Sequence, residues 1–259
     1  MLKYGVLLTL AASSLTVGLA QTAATPPDFS GVYYTIQGNP GGAPPPEAAK
    51  GKQKGPPARP TRNPAPLSDG SAGRSPNAPA LTPEYMAKWQ VMSKSRISGS
   101  YEYDNTAKCL PPGMPAMMGM AYGMEVMQTK DKITFFSELN DALRRVYLDG
   151  RKPTQKVLDD PTYAGYSTGH WEGDTLVVDT VALHPNSFIE GFSPHSDQMT
   201  VHERIRFVSP GVLEDRINVT DPKALLKPWD TVHTYRKAAK EKGDELREFA
   251  CPEGLGDAK

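Results

Sequence analysis

Cysteine is almost absent from this chain: 259 residues contain two, Cys109 and Cys251. That excludes a multi-disulfide scaffold and any thiolate-rich metal cluster. A charge excess is missing as well, because 29 Lys and Arg balance 29 Asp and Glu. A nucleic-acid partner would need a concentrated positive face, so the balance argues against one and leaves a neutral or mildly charged small molecule as the expected partner. After the N-terminus no stretch is apolar enough to span a bilayer, so no membrane span is expected. Signature motifs are lacking too: no HExxH, and no glycine-rich phosphate loop between a strand and a helix.

What is present begins with an export signal. Lys3 supplies a positive start, Val6 to Leu19 form a short apolar run, and Gly18-Leu19-Ala20 place small residues at a cleavage site. Residues 1–20 are therefore expected to be a signal peptide, and the mature protein to be periplasmic or secreted. The alternative is a buried N-terminal helix. In an oxidising compartment Cys109 and Cys251 read as a disulfide, which in the chain-entropy account restricts the unfolded state by about 4 to 5 kcal/mol. Two free thiols or a soft-metal pair are the alternatives, with no CxxC or neighbouring histidine to support them.

Residues 21–36 hold a first strand, since Asp28 to Ile36 are rich in β-branched and aromatic residues. Between Gln37 and Ala80 there are eleven prolines and seven glycines, with Leu67 the only large apolar residue. Such a segment buries too little surface to offset its ordering entropy, so 37–80 is expected to be a disordered insert. Residues 81–259 then form a helix plus a β domain. Thr82 can cap a helix with Pro83 in its first turn, and Tyr85, Trp89 and Met92 recur at helical spacing until about Ser98. Strands are expected at Met124–Gln128, Ile133–Asn140, Leu143–Asp149, Gly169–Glu172, Thr175–Thr180, Met199–Val208, Val212–Thr220, Asp230–Arg236 and Glu245–Cys251. Many short strands joined by turns predict a mostly β fold. The expectation is an antiparallel, barrel-like sheet of calycin or lipocalin type, with one N-terminal helix packed on it.

Three motifs, Cys109-Leu110-Pro111-Pro112-Gly113-Met114-Pro115, the run Gly169 to Thr180, and His195-Ser196-Asp197, resemble those of a secreted, uncharacterised bacterial family. Asp221-Pro222-Lys223 and the late Cys251 fit the same pattern. The resemblance covers most of the chain from Leu81 onward and the Asp28 strand. It brings no activity and no catalytic residues with it.

Glu203 stands out chemically. Met199, Val201, Glu203, Ile205 and Phe207 alternate with Thr200, His202, Arg204 and Arg206, which drives a carboxylate onto an apolar face. Asp215 is placed likewise among Leu213, Ile217 and Val219. Two inward acids could share a proton, or one could meet Arg144, Arg145 or His233 in an internal salt bridge that holds register. His195, Asp197 and His202, with His170 and Glu172 elsewhere, could serve a zinc site or an acid–base pair, although loop and surface roles are the default. Met114, Met117, Met118, Met120, Met124 and Met127 are six of the ten methionines; thioethers can take copper(I), or can line or plug an apolar pocket. The loop Leu183–Asp197 carries Phe188, Ile189 and Phe192 and can dock on the core or act as a lid.

The leading expectation is binding of a small apolar or aromatic molecule in a β cavity. Met114, Met117, Met118, Tyr122, Trp171, Phe188, Phe192 and Asp215 would supply contacts, and Glu203 with His170 would orient the ligand. The alternatives are a cofactor-free acid–base enzyme, with Glu203 as base and His170 or His195 as acid, and an envelope structural or interaction protein.

Overall fold

The computed structural model describes residues 25–36, 74–75, 77–239 and 245–250. The expected signal segment, Cys251 and nearly all of the expected insert lie outside these residues. The strands are β1 (Gly31–Thr35), β2 (Met124–Gln128), β3 (Lys132–Ser137), β4 (Ala142–Tyr147), β5 (Tyr166–Glu172), β6 (Thr175–Val181), β7 (Thr200–Ser209), β8 (Val212–Thr220) and β9 (Trp229–Lys237). Each pairs with its sequence neighbour and β9 returns to β1, so the sheet closes into one barrel. The mostly β, barrel-like sheet expected from the strand pattern is what forms.

Alternation explains the barrel wall. On β7, Val201, Glu203 and Ile205 are buried while Thr200, His202, Arg204 and Arg206 are exposed; β8 repeats the pattern with Leu213, Asp215, Ile217 and Val219 inside. Register locks this arrangement, because Glu203 lies opposite Ile217 and Ile205 opposite Asp215, and a one-residue slip would turn every apolar side chain outward. Each fully buried Leu, Ile or Val contributes about 1.5–3 kcal/mol. The wall therefore holds its shape without any one contact dominating.

Two features depart from the sequence-based expectation. Glu245 to Ala250 form no strand. The physical reason is closure: β9 already pairs with β1, which also pairs with β2, so the chain after β9 finds no edge beside it for a tenth strand. The sheet is also not wholly antiparallel, since β4 and β5 run parallel. A parallel pair needs a crossover, and residues 148–165 provide it, carrying the short helix α2 (Gln155–Asp159).

Strand directions place the connections. The turns at 129–131, 173–174 and 210–211 lie at one end. At the other end gather the chain between β1 and β2, the end of the crossover, and the connections 182–199 and 221–228. The first end is closed by Phe29, whose ring packs at 5.1 Å on Trp171 and at 5.1 Å on Phe207. The opposite mouth is closed by the methionine segment. Met114, Met117 and Met118 join the core there, Tyr235 donates a hydrogen bond to the Met118 carbonyl (2.7 Å) and Thr35 donates to the Met120 carbonyl (2.7 Å).

Helix α1 (Pro83–Ile97) buries Tyr85, Trp89 and Met92, as their spacing predicts. It is tied to the barrel through loops: Leu81 bridges to Leu225, the Thr82 amide donates to the Ala224 carbonyl (2.8 Å), and Trp89 Nε1 reaches the Gly191 carbonyl (3.5 Å). Thr82 occupies the cap position but does not cap; its hydroxyl donates to the Lys223 carbonyl at 3.2 Å instead. The last residues of the expected insert are ordered by similar contacts. Arg74 donates to Ser193 Oγ (3.2 Å), and Trp229 Nε1 donates to the Asn77 carbonyl (2.6 Å).

Candidate functional site

Both inward acids lie inside the barrel, completely buried, together with Arg144. Arg144 faces inward because it alternates with Leu143 and Arg145 on β4. Its guanidinium holds both carboxylate oxygens of Glu203, one of them at 2.8 Å. Nε also donates to Ser167 Oγ (3.2 Å) and Nη2 to Thr180 Oγ1 (3.1 Å), and these two hydroxyls bond each other at 2.8 Å. Of the three counter-groups suggested by the sequence, Arg144 is the one that meets Glu203. A buried pair with its other donors satisfied holds register and is neither a free base nor a free acid.

Asp215 is different. Neither of its oxygens meets a donor among the described residues, and only when protonated can its carboxyl hydrogen-bond to Glu203. Burial first, then the Glu203 charge, push its carboxyl well above the usual carboxylate range, against the opposing pull of Arg144. A neutral Asp215 beside an Arg144–Glu203 pair leaves the interior without net charge, as a dry core requires. Opposite it in register on β9 stands His233, whose imidazole burial pushes down to about 4.

Glu203 and Asp215 line none of the three described cavities. His170 points out of the barrel and meets Glu172 at 3.3 Å, which Arg204 also holds at 2.8 Å. His202 pairs with Asp179 at 2.8 Å on the same exterior. Glu203, His170 and His195 therefore do not converge, and the acid–base roles expected of them have no shared space in which to act. Among the described residues no group of three or more His, Cys, Asp and Glu side chains could hold a metal ion. Met114 and Met118 are buried in the core, and Trp171 packs on Phe29.

All three cavities open at the loop-bearing end of the barrel. The largest, about 790 Å³, lies between α1, residues 102–110 and the loop 185–197. Its apolar surface comes from Tyr85, Met92, Phe188 and Pro194. Leu110 and Val91 stand at the exposed margin. The lysines of the rim are already engaged: Lys88 with Glu84 (2.8 Å), Lys223 with Asp197 (3.4 Å), and Lys108 with the Glu102 carbonyl. A small neighbouring cavity of about 180 Å³ carries Tyr122, Phe192 and the other side of Phe188. Met117 lines a third, of about 570 Å³.

His195 forms part of the wall of the largest cavity. Its Nδ1 lies 2.7 Å from the Ser196 carbonyl, which only accepts, so Nδ1 carries the hydrogen. Nε2 then accepts from the Ser187 hydroxyl at 2.8 Å. Burial lowers the imidazole's affinity for a proton, which keeps it neutral near pH 7. A hydroxyl on a neutral imidazole can be an activated nucleophile, but Ser187 is itself fully buried. With both ring nitrogens occupied, His195 offers its ring surface rather than a free nitrogen. Ser196 continues the chain of bonds to Asp221, through its amide (2.7 Å) and hydroxyl (2.7 Å). Asp221 also accepts the Lys223 (3.1 Å) and Ala224 (2.9 Å) amides, so one buried acid binds the loop to the turn after β8. Sequence reasoning missed Ser187 and Asp221. Asp221 appeared there only within the Asp221-Pro222-Lys223 motif, with no role assigned.

No protein-family model and no curated protein matches the chain. Among solved structures, a point mutant of the fluorescent protein UnaG is similar at 14% identity and a TM-score of 0.28, over 53% of this chain and 88% of that one. So distant a likeness carries no argument about a ligand. No helix among the described residues is long and apolar enough to cross a membrane.

Proposed function

We propose that this protein binds a small, uncharged apolar or aromatic molecule in the cavity between α1 and the 185–197 loop, outside the barrel wall. One observation carries the reading: a cavity of about 790 Å³ with an aromatic and aliphatic lining and a rim whose lysines are already engaged. Ligand sites of drug-sized molecules fall in the range of about 300–1,000 Å³ and are mostly apolar with a few fixed polar groups. Engaged rim charges do not demand a counter-ion from the guest. The loop residue Phe188 then acts as both wall and lid, and the His195–Ser196–Asp221 chain holds that wall in place.

The test uses N-phenyl-1-naphthylamine, an uncharged apolar fluorophore, titrated into the mature protein. Saturable fluorescence enhancement is expected, and Val91→Asp should weaken it at least tenfold, because Val91 lines the cavity and is 57% exposed, so the fold does not need it. Equal binding by the variant would place the probe elsewhere and end the proposal. The same reading includes export to the periplasm or beyond, membership in the secreted family whose motifs the chain resembles, and a Cys109–Cys251 bridge. Cell fractionation and a mass difference of two hydrogens on reduction test the export and the bridge.

A further inference from the structure

The cavity of about 570 Å³ has a different character and shares no lining residue with the one above. It originates in the one parallel seam of the barrel. β4 and β5 pair only at Val146–Ser167 and Tyr147–Thr168, so residues 142–145 of β4 have no strand on that side. The wall splays there, and the end of the crossover, from Lys156 to Tyr166, lies over the gap. Leu143, Arg145 and Tyr147 face outward on β4, opposite in sense to the buried Arg144.

Two cations line this cavity, Arg145 and Lys156, and one acid, Asp160. Unlike the lysines of the larger cavity, neither cation makes a hydrogen bond or ion pair with any described residue. Around them stand three tyrosines. Tyr147 and Tyr166 pack with ring centres 5.3 Å apart, Arg151 lies over the Tyr147 ring at 4.2 Å, and Tyr163 is stacked on His184 at 4.6 Å, which leaves Tyr166 and the free face of Tyr163 for a guest. The Tyr163 carbonyl accepts the Met114 amide (2.8 Å), which ties the main chain of the crossover's end to the methionine segment. An unengaged guanidinium fork beside flat ring surfaces matches a ligand with a planar carboxylate on an aromatic body. The fork takes both carboxylate oxygens, and the rings pack on the body.

We infer that the open β4–β5 seam is a second binding site, for a small aromatic carboxylate held by Arg145 and the tyrosine wall. The inference is independent of the uncharged ligand proposed for the larger cavity. Isothermal titration of the mature protein with benzoate tests it, with benzyl alcohol, cyclohexanecarboxylate and inorganic phosphate as comparison probes. Benzoate should bind saturably in the millimolar range. Benzyl alcohol should bind at least tenfold more weakly, and cyclohexanecarboxylate several-fold more weakly. Arg145→Gln should lose tenfold or more of benzoate affinity while keeping the wild-type melting temperature, since Arg145 is exposed and supports no contact. Val91→Asp should leave benzoate binding unchanged. Absence of saturation, unchanged affinity in Arg145→Gln, or equal competition by phosphate would each overturn the site. So would loss of benzoate binding in Val91→Asp, which would assign the probe to the larger cavity.

Discussion

Removing Arg144 is the sharpest perturbation of the barrel interior. Arg144→Met would leave Glu203 buried without its counter-charge and Ser167 and Thr180 without a donor. Breaking a buried pair by deleting one partner costs about 3–5 kcal/mol, a large part of the roughly 5–15 kcal/mol that holds a domain together. Glu203→Leu should cost a similar amount, because it strands the guanidinium. The double variant should recover most of the loss and lie within about 2 kcal/mol of wild type, since two apolar side chains leave no uncompensated charge. Guanidinium unfolding at pH 7, followed by circular dichroism, measures all three, and the thermodynamic cycle isolates the coupling. If the double variant instead loses the sum of the single losses, the two residues are not a unit and the account of the interior is wrong. Should Arg144→Met fail to fold, the comparison of Glu203→Leu with the double variant still decides the matter.

Asp215, raised by burial, holds a proton in the folded chain that the unfolded chain releases, so its contribution to stability falls as pH rises above the ordinary carboxylate range. Asp215→Asn should remove that slope, up to about 1.4 kcal/mol per pH unit, and raise the melting temperature at pH 7–8; an unchanged stability–pH profile would contradict it. His233, lowered to about 4, acts on the acid side, where the unfolded chain takes up a proton from about pH 6.5 downward and the folded chain resists it. Stability should therefore drop by about 3 kcal/mol between pH 6.5 and 4, and His233→Leu should flatten that limb in an acid titration followed by near-ultraviolet dichroism. Gly113→Ala should push Ser187, and with it the 185–197 loop that walls the larger cavity, out of place, because φ is +79° there and a Cβ would sit 2.3 Å from Ser187 Cβ. A loss of about 1–3 kcal/mol is expected, with weakened N-phenyl-1-naphthylamine binding, and an unaffected melting curve would refute the packing. Tyr235→Phe should cost about 1–3 kcal/mol by leaving the Met118 carbonyl buried without its donor.

Local chemistry in the sequence placed α1 and the nine strands that form, but not α2 (Gln155–Asp159). Two-residue alternation in 199–208 and 212–220 specifies which side chains turn inward, and it placed Glu203 and Asp215 in the interior without any knowledge of the fold. The 85, 89, 92 spacing did the same for α1. These patterns are readable because the period of a strand or helix is a property of neighbouring residues alone. Which of Arg144, Arg145 or His233 would meet Glu203 depended on how β4 lies relative to β7, two strands that never pair, and only closure of the barrel decided it. Closure also removed the edge that Glu245–Ala250 would have needed. The parallel β4–β5 seam, with its cavity, and the Ser187–His195 and Ser196–Asp221 contacts join residues through loops whose paths no periodicity records. Side-chain direction is thus a local matter written along the chain, while enclosed space is made by surfaces far apart in sequence, and only the folded barrel brings those surfaces together.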